Sequence, residues 1–283
     1  KPACLNAKMV IAQVNDQMPR TMGESFLHVS QLTCCVEAST PLPELGGGTI
    51  GEVEEAIGRN VASLVEDGST LQLGIGTIPD AVLKFLGDKK DLGIHSEMFS
   101  DGVVELAEAG NITNQKKTLH RGQSVATFLM GTRRLYDYVD NNPAVAMYPV
   151  QYVNDPYVIA QNDNLVSINS CVQIDLMGQV VSTSVGLRQI SGVGGQIDFV
   201  RGANMSKGGR AIMAMRDNRI ATESIGINVT KYKLMAFVTS AALAGAAGAL
   251  YGYGSREELE PFHPVLLAES CANLADQILN GQA

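Results

Sequence analysis

Apolar and polar positions in the first part of the chain predict a strand, a linker and an amphipathic helix. The run KMVIAQVN at 8–15 is typical of a buried strand. Two prolines and a glycine triplet at 40–48 predict a linker, and we place a domain boundary near residue 45. The following segment, 51–67, has apolar positions at the spacing of one helix face: Val53, Ile57, Val61 and Leu64.

From residue 69 onward, short apolar runs alternate with helical patterns. STLQLGIGTIPDAVLKFL (69–86) predicts a strand, a glycine turn and a helix with Pro79 in its first turn. DLGIHSEMFSDGVVELAEAG (91–110) repeats this plan with a helix from about Gly102, and 124–142 repeats it again. Segment 164–182 reads as two strands joined by a Met-Gly turn. Repeated strand–turn–helix units predict an α/β domain with a mostly parallel sheet.

One acidic residue stands in a turn of this predicted sheet. Ligands of parallel sheets bind at the loops that leave the carboxyl ends of the strands. Glu97, in GIHSEMFSDG, and the glycine turn at 74–76 are both expected on that edge. The pattern alone leaves Glu97 open between a reactive carboxylate and an ordinary solvated acid beside the buried Met98 and Phe99.

Two glycine turns are candidate anion sites, LGIGTIP (73–79) and ISGVGGQIDF (190–199). Glycine lets backbone amides approach a ligand closely, so such turns can hold an oxyanion or a phosphate. Neither turn contains GxGxxG or the Lys-Ser/Thr pair of a P-loop. Taken singly, each turn is weak evidence for such a site, since most glycines simply permit a tight turn.

Composition narrows the class of protein. The 283 residues have a formal net charge of −8 and no basic stripe, which argues against a nucleic-acid surface. The first residues do not read as a signal peptide. The four histidines form no HExxH motif, so no metal site is expected. An odd number of cysteines without metal-like spacing favours reduced thiols in a cytoplasmic protein: Cys4, Cys34, Cys35, Cys171 and Cys271.

Residues 1 to about 215 resemble the 4-hydroxybutyrate CoA-transferase and acetyl-CoA hydrolase/transferase family. The stretches that carry this resemblance are GSTLQLGIGTIPDAV, GIHSEMFSDGVVELAEAG, ATFLMGTRRLYDYVDNNP, YPVQYVNDPYVIAQND, SINSCVQIDLMGQVVS and GLRQISGVGGQIDFVRGA. The resemblance implies a NagB/RpiA-like α/β fold in a cytoplasmic homodimer. It makes 1–45 the end of a truncated N-terminal domain with its linker, and 46–215 the catalytic C-terminal domain.

The same resemblance implies a reaction. CoA would move between a short-chain acyl-CoA (acetyl-, butyryl- or 4-hydroxybutyryl-CoA) and a carboxylate through a glutamyl-CoA thioester. The alternatives are an acetyl-CoA hydrolase that uses the same glutamate, and an inactive fragment. CoA enters as a substrate, and no metal is expected.

The family motifs also suggest roles for individual residues. Glu97 of the Ser-Glu-Met turn corresponds to the nucleophile, and Asn154 to an amide that steadies it, unless Asn154 only initiates the turn before Asp155. Lys207 is a candidate for the CoA phosphates or an ordinary solvated lysine. His95 is expected to bond within its own turn, with a supporting role for Glu97 as the alternative. Backbone donors to the oxyanion and CoA are expected at Ile75, Gly192, Val193, Gly194 and Gly195.

Beyond residue 215 the family pattern changes. Residues 216 to about 252 resemble permease subunits of branched-chain amino-acid ABC transporters, so we expect a junction near 215. The segment 234–254 has 21 residues without a charge, long enough to span a bilayer. A membrane-associating helix and a buried helix of a soluble domain both remain open. The tail, 255–283, carries no motif.

Overall fold

A computed structural model of the chain describes residues 1–74, 76–174, 177 and 179–215. The structure below lies within one compact unit, which comprises Lys1–Ile174 and the described residues from Val180 onward. Its helices are α1 (Pro2–Asn6), α2 (Glu52–Ser63), α3 (Thr77–Lys84), α4 (Asp101–Glu108), α5 (Arg133–Val139), α6 (Val150–Val153), α7 (Pro156–Ile159) and α8 (Gln196–Met205).

Short strands alternate with these helices. In chain order they are β1 (Ile11–Asn15), β2 (Met22–Gly23), β3 (Cys34–Ala38), β4 (Thr70–Leu73), β5 (Gly93–Ile94), β6 (Met98–Phe99), β7 (Ser124–Ala126), β8 (Phe128–Leu129), β9 (Val145–Met147), β10 (Leu165–Cys171), β11 (Gln173–Ile174), β12 (Val180–Val181), β13 (Ser184–Val185), β14 (Arg188–Gln189) and β15 (Arg210–Met215). The strand–turn–helix units predicted from residue 69 onward are present, with α3 carrying Pro79 in its first turn and α4 beginning at Asp101.

The core sheets are parallel, as the sequence predicts. One sheet has the order β15-β10-β4-β5, and a second has the order β2-β9-β7. A parallel bridge between His95 and Val125 joins the edge of the first to the second. β4 and β10 are almost wholly buried because helices cover both faces of such sheets. Glu97 therefore follows an internal strand of the combined sheet.

Two apolar clusters hold this sheet in place. The larger one includes Val61 of α2, Val82 of α3 and Leu71 of β4. The smaller one lies where α8 packs, and its buried members are Val125, Val153, Ile159, Leu165, Phe199 and Ala203. The second cluster lies next to the segments that supply the candidate site.

One prediction about burial was wrong, and another is confirmed only in part. β1 forms, but Ile11 is 62% exposed, because in the described residues β1 pairs only with β3 in a two-stranded parallel sheet. In α2, Val61 is buried while Val53 is 54% exposed. The helix instead turns Gly58 toward α3, where an added Cβ would lie 2.7 Å from the backbone of Ala81. The buried face of α2 is therefore shifted from the apolar stripe: it keeps Val61 and adds Gly58 and Ala62.

Three predictions concern residues at or beyond the end of the described part of the chain. They are the junction near residue 215, the uncharged segment 234–254 and the tail 255–283. Within the described part, no helix combines the length and apolar character that a membrane span requires.

Candidate active site

The backbone around Glu97 is fixed by hydrogen bonds to the two segments that flank it in the sheet. Ser96, completely buried, uses its hydroxyl to accept from Leu73 N and to donate to Leu73 O, both at 3.2 Å. The carbonyl of Glu97 accepts from the backbone amides of Thr127 and Phe128, at 2.9 and 3.1 Å. Strand pairing is interrupted at Glu97 and resumes with Met98. The interruption turns the Glu97 side chain out of the sheet at its carboxyl edge.

The Glu97 carboxylate is held by one of its two oxygens. Oε2 accepts from the backbone N–H of Gly195 at 2.8 Å and from Nδ2 of Asn154 at 3.1 Å. Within the described part of the chain, Oε1 has no hydrogen-bond partner. Glu97 is half-buried, and Met98 and Phe99 beside it are buried. One oxygen is thus anchored, while the other is available to attack an electrophile.

Gly195 can occupy its place only because it lacks a side chain. A Cβ at this position would collide with both Oε2 of Glu97 and Nδ2 of Asn154. Gly195 is the N-cap residue of α8, so the positive end of the helix dipole also favours an anion at this point. Glycine is therefore required at position 195, because its backbone N–H must come close to the Glu97 carboxylate.

Asn154 contacts Glu97 rather than initiating a turn. The turn into α7 is capped by Asp155, whose Oδ1 accepts from Tyr157 N at 2.8 Å. Asn154 directly follows α6, and its amide group points to the carboxylate. Its Oδ1 is buried without a hydrogen-bond partner in the described residues. Of the two alternatives for Asn154, the contact with Glu97 is the one that the structure contains.

His95 precedes Glu97 by two residues and is completely buried. Its Nε2 is 2.9 Å from the carbonyl oxygen of Val153, so the expected bond within its own turn was wrong. Burial, and secondly the nearby Lys117, lower the pKa of His95 to about 3. The ring is therefore neutral at physiological pH.

Lys117 was not predicted from the sequence, where it stands in the ordinary polar stretch NITNQKKTLHRG. The side chain is buried, and Nζ donates to the carbonyls of Ile94 and Gln123 at 2.7 and 2.6 Å. Burial lowers its pKa to about 7. A neutral amine has two N–H groups, which matches these two acceptors. Lys117 thereby fixes the end of β5, three residues before Glu97.

Several predicted site residues do not meet at the carboxylate. Gly192, Val193 and Gly194 are exposed, and no atom lies within 4 Å of a Cβ built at either glycine. Ile75 lies outside the described residues.

Lys207 is exposed, and its carbonyl pairs with Asn164 N just before β10 begins. This is the amino edge of the sheet, at the far end of α8 from Gly195. Its placement argues against a role at the Glu97 carboxylate, and contact with CoA phosphates stays a prediction.

The described part of the chain contains no group of three or more His, Cys, Asp or Glu residues that could hold a metal ion. The candidate site consists of a carboxylate, an amide side chain and a backbone N–H, and a buried histidine and a buried lysine bind the backbone of adjoining segments. This arrangement suits nucleophilic attack by a carboxylate on an acyl carbon.

Comparison with known proteins finds similarity to CoA-transferases and acetyl-CoA hydrolases. Residues 131–242 match the acetyl-CoA hydrolase/transferase C-terminal domain family. This match supports the resemblance found in the sequence motifs. It also crosses residue 215, and no comparison supports the resemblance of 216–252 to a permease.

Among curated relatives, a 4-hydroxybutyrate coenzyme A transferase of Clostridium kluyveri is 68% identical over 215 residues, covering 76% of this chain and 50% of the relative. A succinyl-CoA:cyclohexane-1-carboxylate CoA transferase of Geobacter metallireducens is 51% identical over 211 residues, covering 75% and 48%. The chain thus spans about half the length of the curated relatives that it matches.

Solved structures support the fold class. A 4-hydroxybutyrate CoA-transferase of Porphyromonas gingivalis superposes with a TM-score of 0.68 at 49% identity, over 75% of this chain and 50% of that one. RipA of Yersinia pestis gives a TM-score of 0.69 at 45% identity, over 75% and 47%. The predicted α/β fold of CoA-transferase type, with mostly parallel sheets, is confirmed.

Proposed function

We propose that this chain supplies the nucleophile of a CoA-transferase that moves CoA between a short-chain acyl-CoA and a carboxylate. The observation that carries this proposal is the Glu97 carboxylate, whose Oε2 has two donors while its Oε1 has no hydrogen-bond partner among the described residues. The names of the similar proteins support CoA transfer as the reaction class. Acetyl-, butyryl- and 4-hydroxybutyryl-CoA are the acyl donors that we propose.

The first half of the reaction uses the free oxygen. Oε1 attacks the thioester carbon, the C–S bond breaks, and CoA leaves as the thiolate, so that a mixed anhydride remains on Glu97. The thiolate then attacks Cδ of Glu97. The bond between Cδ and Oε1 breaks, the carboxylate product leaves with Oε1, and Glu97 becomes a glutamyl-CoA thioester.

The anchored oxygen takes up charge in the second of these steps. Attack on Cδ turns Oε2 into an oxyanion, and the donors from Gly195 and Asn154 already point at it. Each such donor is worth about 3 kcal/mol of barrier. One oxygen of the acceptor carboxylate then attacks Cδ and displaces the thiolate, giving a second mixed anhydride. The thiolate attacks the acceptor's acyl carbon, the bond between that carbon and the bridging oxygen breaks, and the acceptor leaves as its acyl-CoA. The bridging oxygen stays on Cδ as the new Oε1, which restores the Glu97 carboxylate.

Water competes with the acceptor carboxylate for the activated glutamyl group. The buried Met98 and Phe99 beside Glu97 limit the approach of water, which favours transfer over hydrolysis. Relatives named acetyl-CoA hydrolase match at 28–29% identity, below the 42–68% of five relatives named CoA-transferases, while a succinyl-CoA:acetate CoA-transferase matches at 24%. We therefore propose transfer as the reaction of this site.

The location, oligomeric state, partners and domain bounds of the enzyme are also proposals. By resemblance to the family we propose a cytoplasmic homodimer with no nucleic-acid partner, in which CoA is a substrate and no metal takes part. We propose 46–215 as the catalytic domain, with 1–45 as the end of a preceding domain.

Chemical trapping tests the nucleophile directly. The protein is incubated with butyryl-CoA and then treated with borohydride, which reduces a glutamyl thioester to an alcohol. Peptide mass analysis should find the reduced residue at position 97. Glu97→Gln should abolish trapping, and Glu105→Gln, which changes an exposed glutamate of α4, should leave it intact. Reduction at another residue, or none in the unaltered protein, would contradict the proposal.

A further inference from the structure

The ring of His95 lies where three segments of the site converge. His95 is two residues from Glu97, and its Nε2 reaches the carbonyl of Val153, the residue before Asn154. Its ring also meets the edge of Phe199, with 6.2 Å between centroids. Phe199 belongs to the first turn of α8, the helix that Gly195 caps. One side chain therefore contacts the carboxylate's own turn and the segments of both its donors.

The hydrogen bond defines the chemical state of the ring. Because a carbonyl only accepts, Nε2 must carry the proton and donate it to Val153. Nδ1 is buried and has no hydrogen-bond partner in the described residues. The titratable groups that face the ring, Lys117 and His120, are both bases, and each lowers the pKa of His95. The ring is therefore a neutral donor.

Alternative roles for such a ring fit the geometry less well. A general base would need its free nitrogen near a substrate proton, whereas Nδ1 is enclosed in the protein interior. A purely space-filling residue would not need a polar ring between Val153 and Phe199. The bridge across 58 residues from His95 to Val153 is the feature that packing alone does not require.

We propose that His95 is a positioning residue that holds Asn154 and Gly195 in place against the Glu97 carboxylate through its bond to Val153 and its contact with Phe199. The proposal deepens the proposed function and rests on it for its consequence in catalysis. The ring itself touches no reacting atom. Its loss should allow the α6 turn and the start of α8 to shift relative to Glu97.

Two substitutions separate the hydrogen bond from packing. His95→Gln places an amide N–H near the position of Nε2 and can restore the bond to Val153. His95→Phe fills the space but leaves the carbonyl without its donor. His28→Gln is the matched control, since His28 is exposed and lies outside the site, at the N-cap of the 3-10 turn Val29–Gln31.

The catalytic readout is the rate of borohydride-trappable adduct formation on Glu97. A misplacement of about 1 Å can cost 10²-fold in rate, so we expect His95→Phe to lose about 10- to 100-fold at saturating acyl-CoA. Half-saturation should change little, and His95→Gln should recover most of the rate. A rate for His95→Phe equal to the wild-type rate would overturn the proposal. So would a folded His95→Gln that is as slow as His95→Phe.

A structural readout keeps the inference testable without activity. In the ¹H–¹⁵N NMR spectrum, the His95 ring should show an exchange-protected Nε2–H at neutral pH, and the Asn154 side-chain amide should be protected by its bond to Glu97. His95→Phe should expose the Asn154 amide to exchange, while His95→Gln and His28→Gln should not. An unprotected ring N–H in the wild-type protein would overturn the proposal even if His95→Phe does not fold. If the wild-type protein forms no adduct but these protections hold, the proposed function fails and the positioning role stands.

Discussion

The GVGG turn contains two regions of opposite character, although its residues are adjacent in sequence. Gly195 is buried and donates to Glu97, in a space that a methyl group would fill. Gly192, Val193 and Gly194 are exposed, and neither glycine has a neighbour that would exclude a side chain. A single motif thus combines one position fixed by the Glu97 carboxylate with three that face outward. Glycines of one turn can therefore have different structural roles: a side chain is excluded at Gly195 but not at Gly192 or Gly194.

The largest effect is expected at the buried end of this turn. In Gly195→Ala, the added methyl group must displace the Glu97 carboxylate or the Asn154 amide, so the shared donor geometry is lost. Removing one oxyanion donor costs about 10²–10³-fold in rate, and we expect a loss at the upper end of that range. Adduct formation on Glu97 is the measurement.

Gly87→Ala is the matched control for this variant, because Gly87 is exposed and an added Cβ there has nothing within 4 Å. Equal rates for Gly195→Ala and Gly87→Ala would remove the distinction between the two ends of the turn.

The next largest effect concerns the second donor. Asn154→Asp keeps the shape of the side chain but replaces the N–H that faces Oε2 with a second carboxylate oxygen. Loss of the donor and like-charge repulsion should slow adduct formation by about 10²-fold at neutral pH. The same substitution at the exposed Asn204 of α8 adds the same charge outside the site, and it should have little effect. A rate for Asn154→Asp close to that of Asn204→Asp would contradict the role of Asn154.

The free energy of unfolding should depend on pH through the buried Lys117. Lys117 has a folded-state pKa of about 7, below its usual value of 10.5, so between these values the unfolded chain binds more protons than the folded one. Stability should therefore rise with pH in this window, by about 1 kcal/mol per pH unit. Lys117→Met should lack this rise when urea unfolding is measured at pH 7.5 and 8.5. Parallel pH profiles for the two proteins would mean that Lys117 is not buried as described.

The smallest effect is expected at the exposed end of the turn. Gly194→Ala should leave the free energy of unfolding within about 0.5 kcal/mol, as for other surface substitutions. It should also leave the Asn154 side-chain amide protected in NMR exchange. A change in the half-saturation by acyl-CoA would assign CoA contact to this loop. Loss of the Asn154 protection would show that the two regions of the turn are not independent.

The sequence predicts the alternation of strands and helices because that alternation follows from apolar spacing within short segments. It places Glu97 at the carboxyl edge for the same reason. The partners of the carboxylate lie 57 and 98 residues away, and only the resemblance to a family brings Asn154 and Gly195 together with it. Lys117 could not be identified this way, and the bond from His95 to Val153 could not be predicted, since burial of a polar side chain depends on long-range packing that leaves no local pattern.

Isotope transfer into Glu97 tests the central claim most directly, namely that Oε1 reacts while Oε2 stays anchored. The protein is allowed to turn over acyl-CoA with a carboxylate acceptor labelled with ¹⁸O at both oxygens, and the peptide containing Glu97 is then analysed by mass. The mechanism returns one acceptor oxygen to Glu97 in each cycle, at the position of Oε1. We therefore predict one heavy oxygen in Glu97, even after many turnovers. No heavy oxygen would contradict Glu97 as the nucleophile, and two would contradict an anchored Oε2.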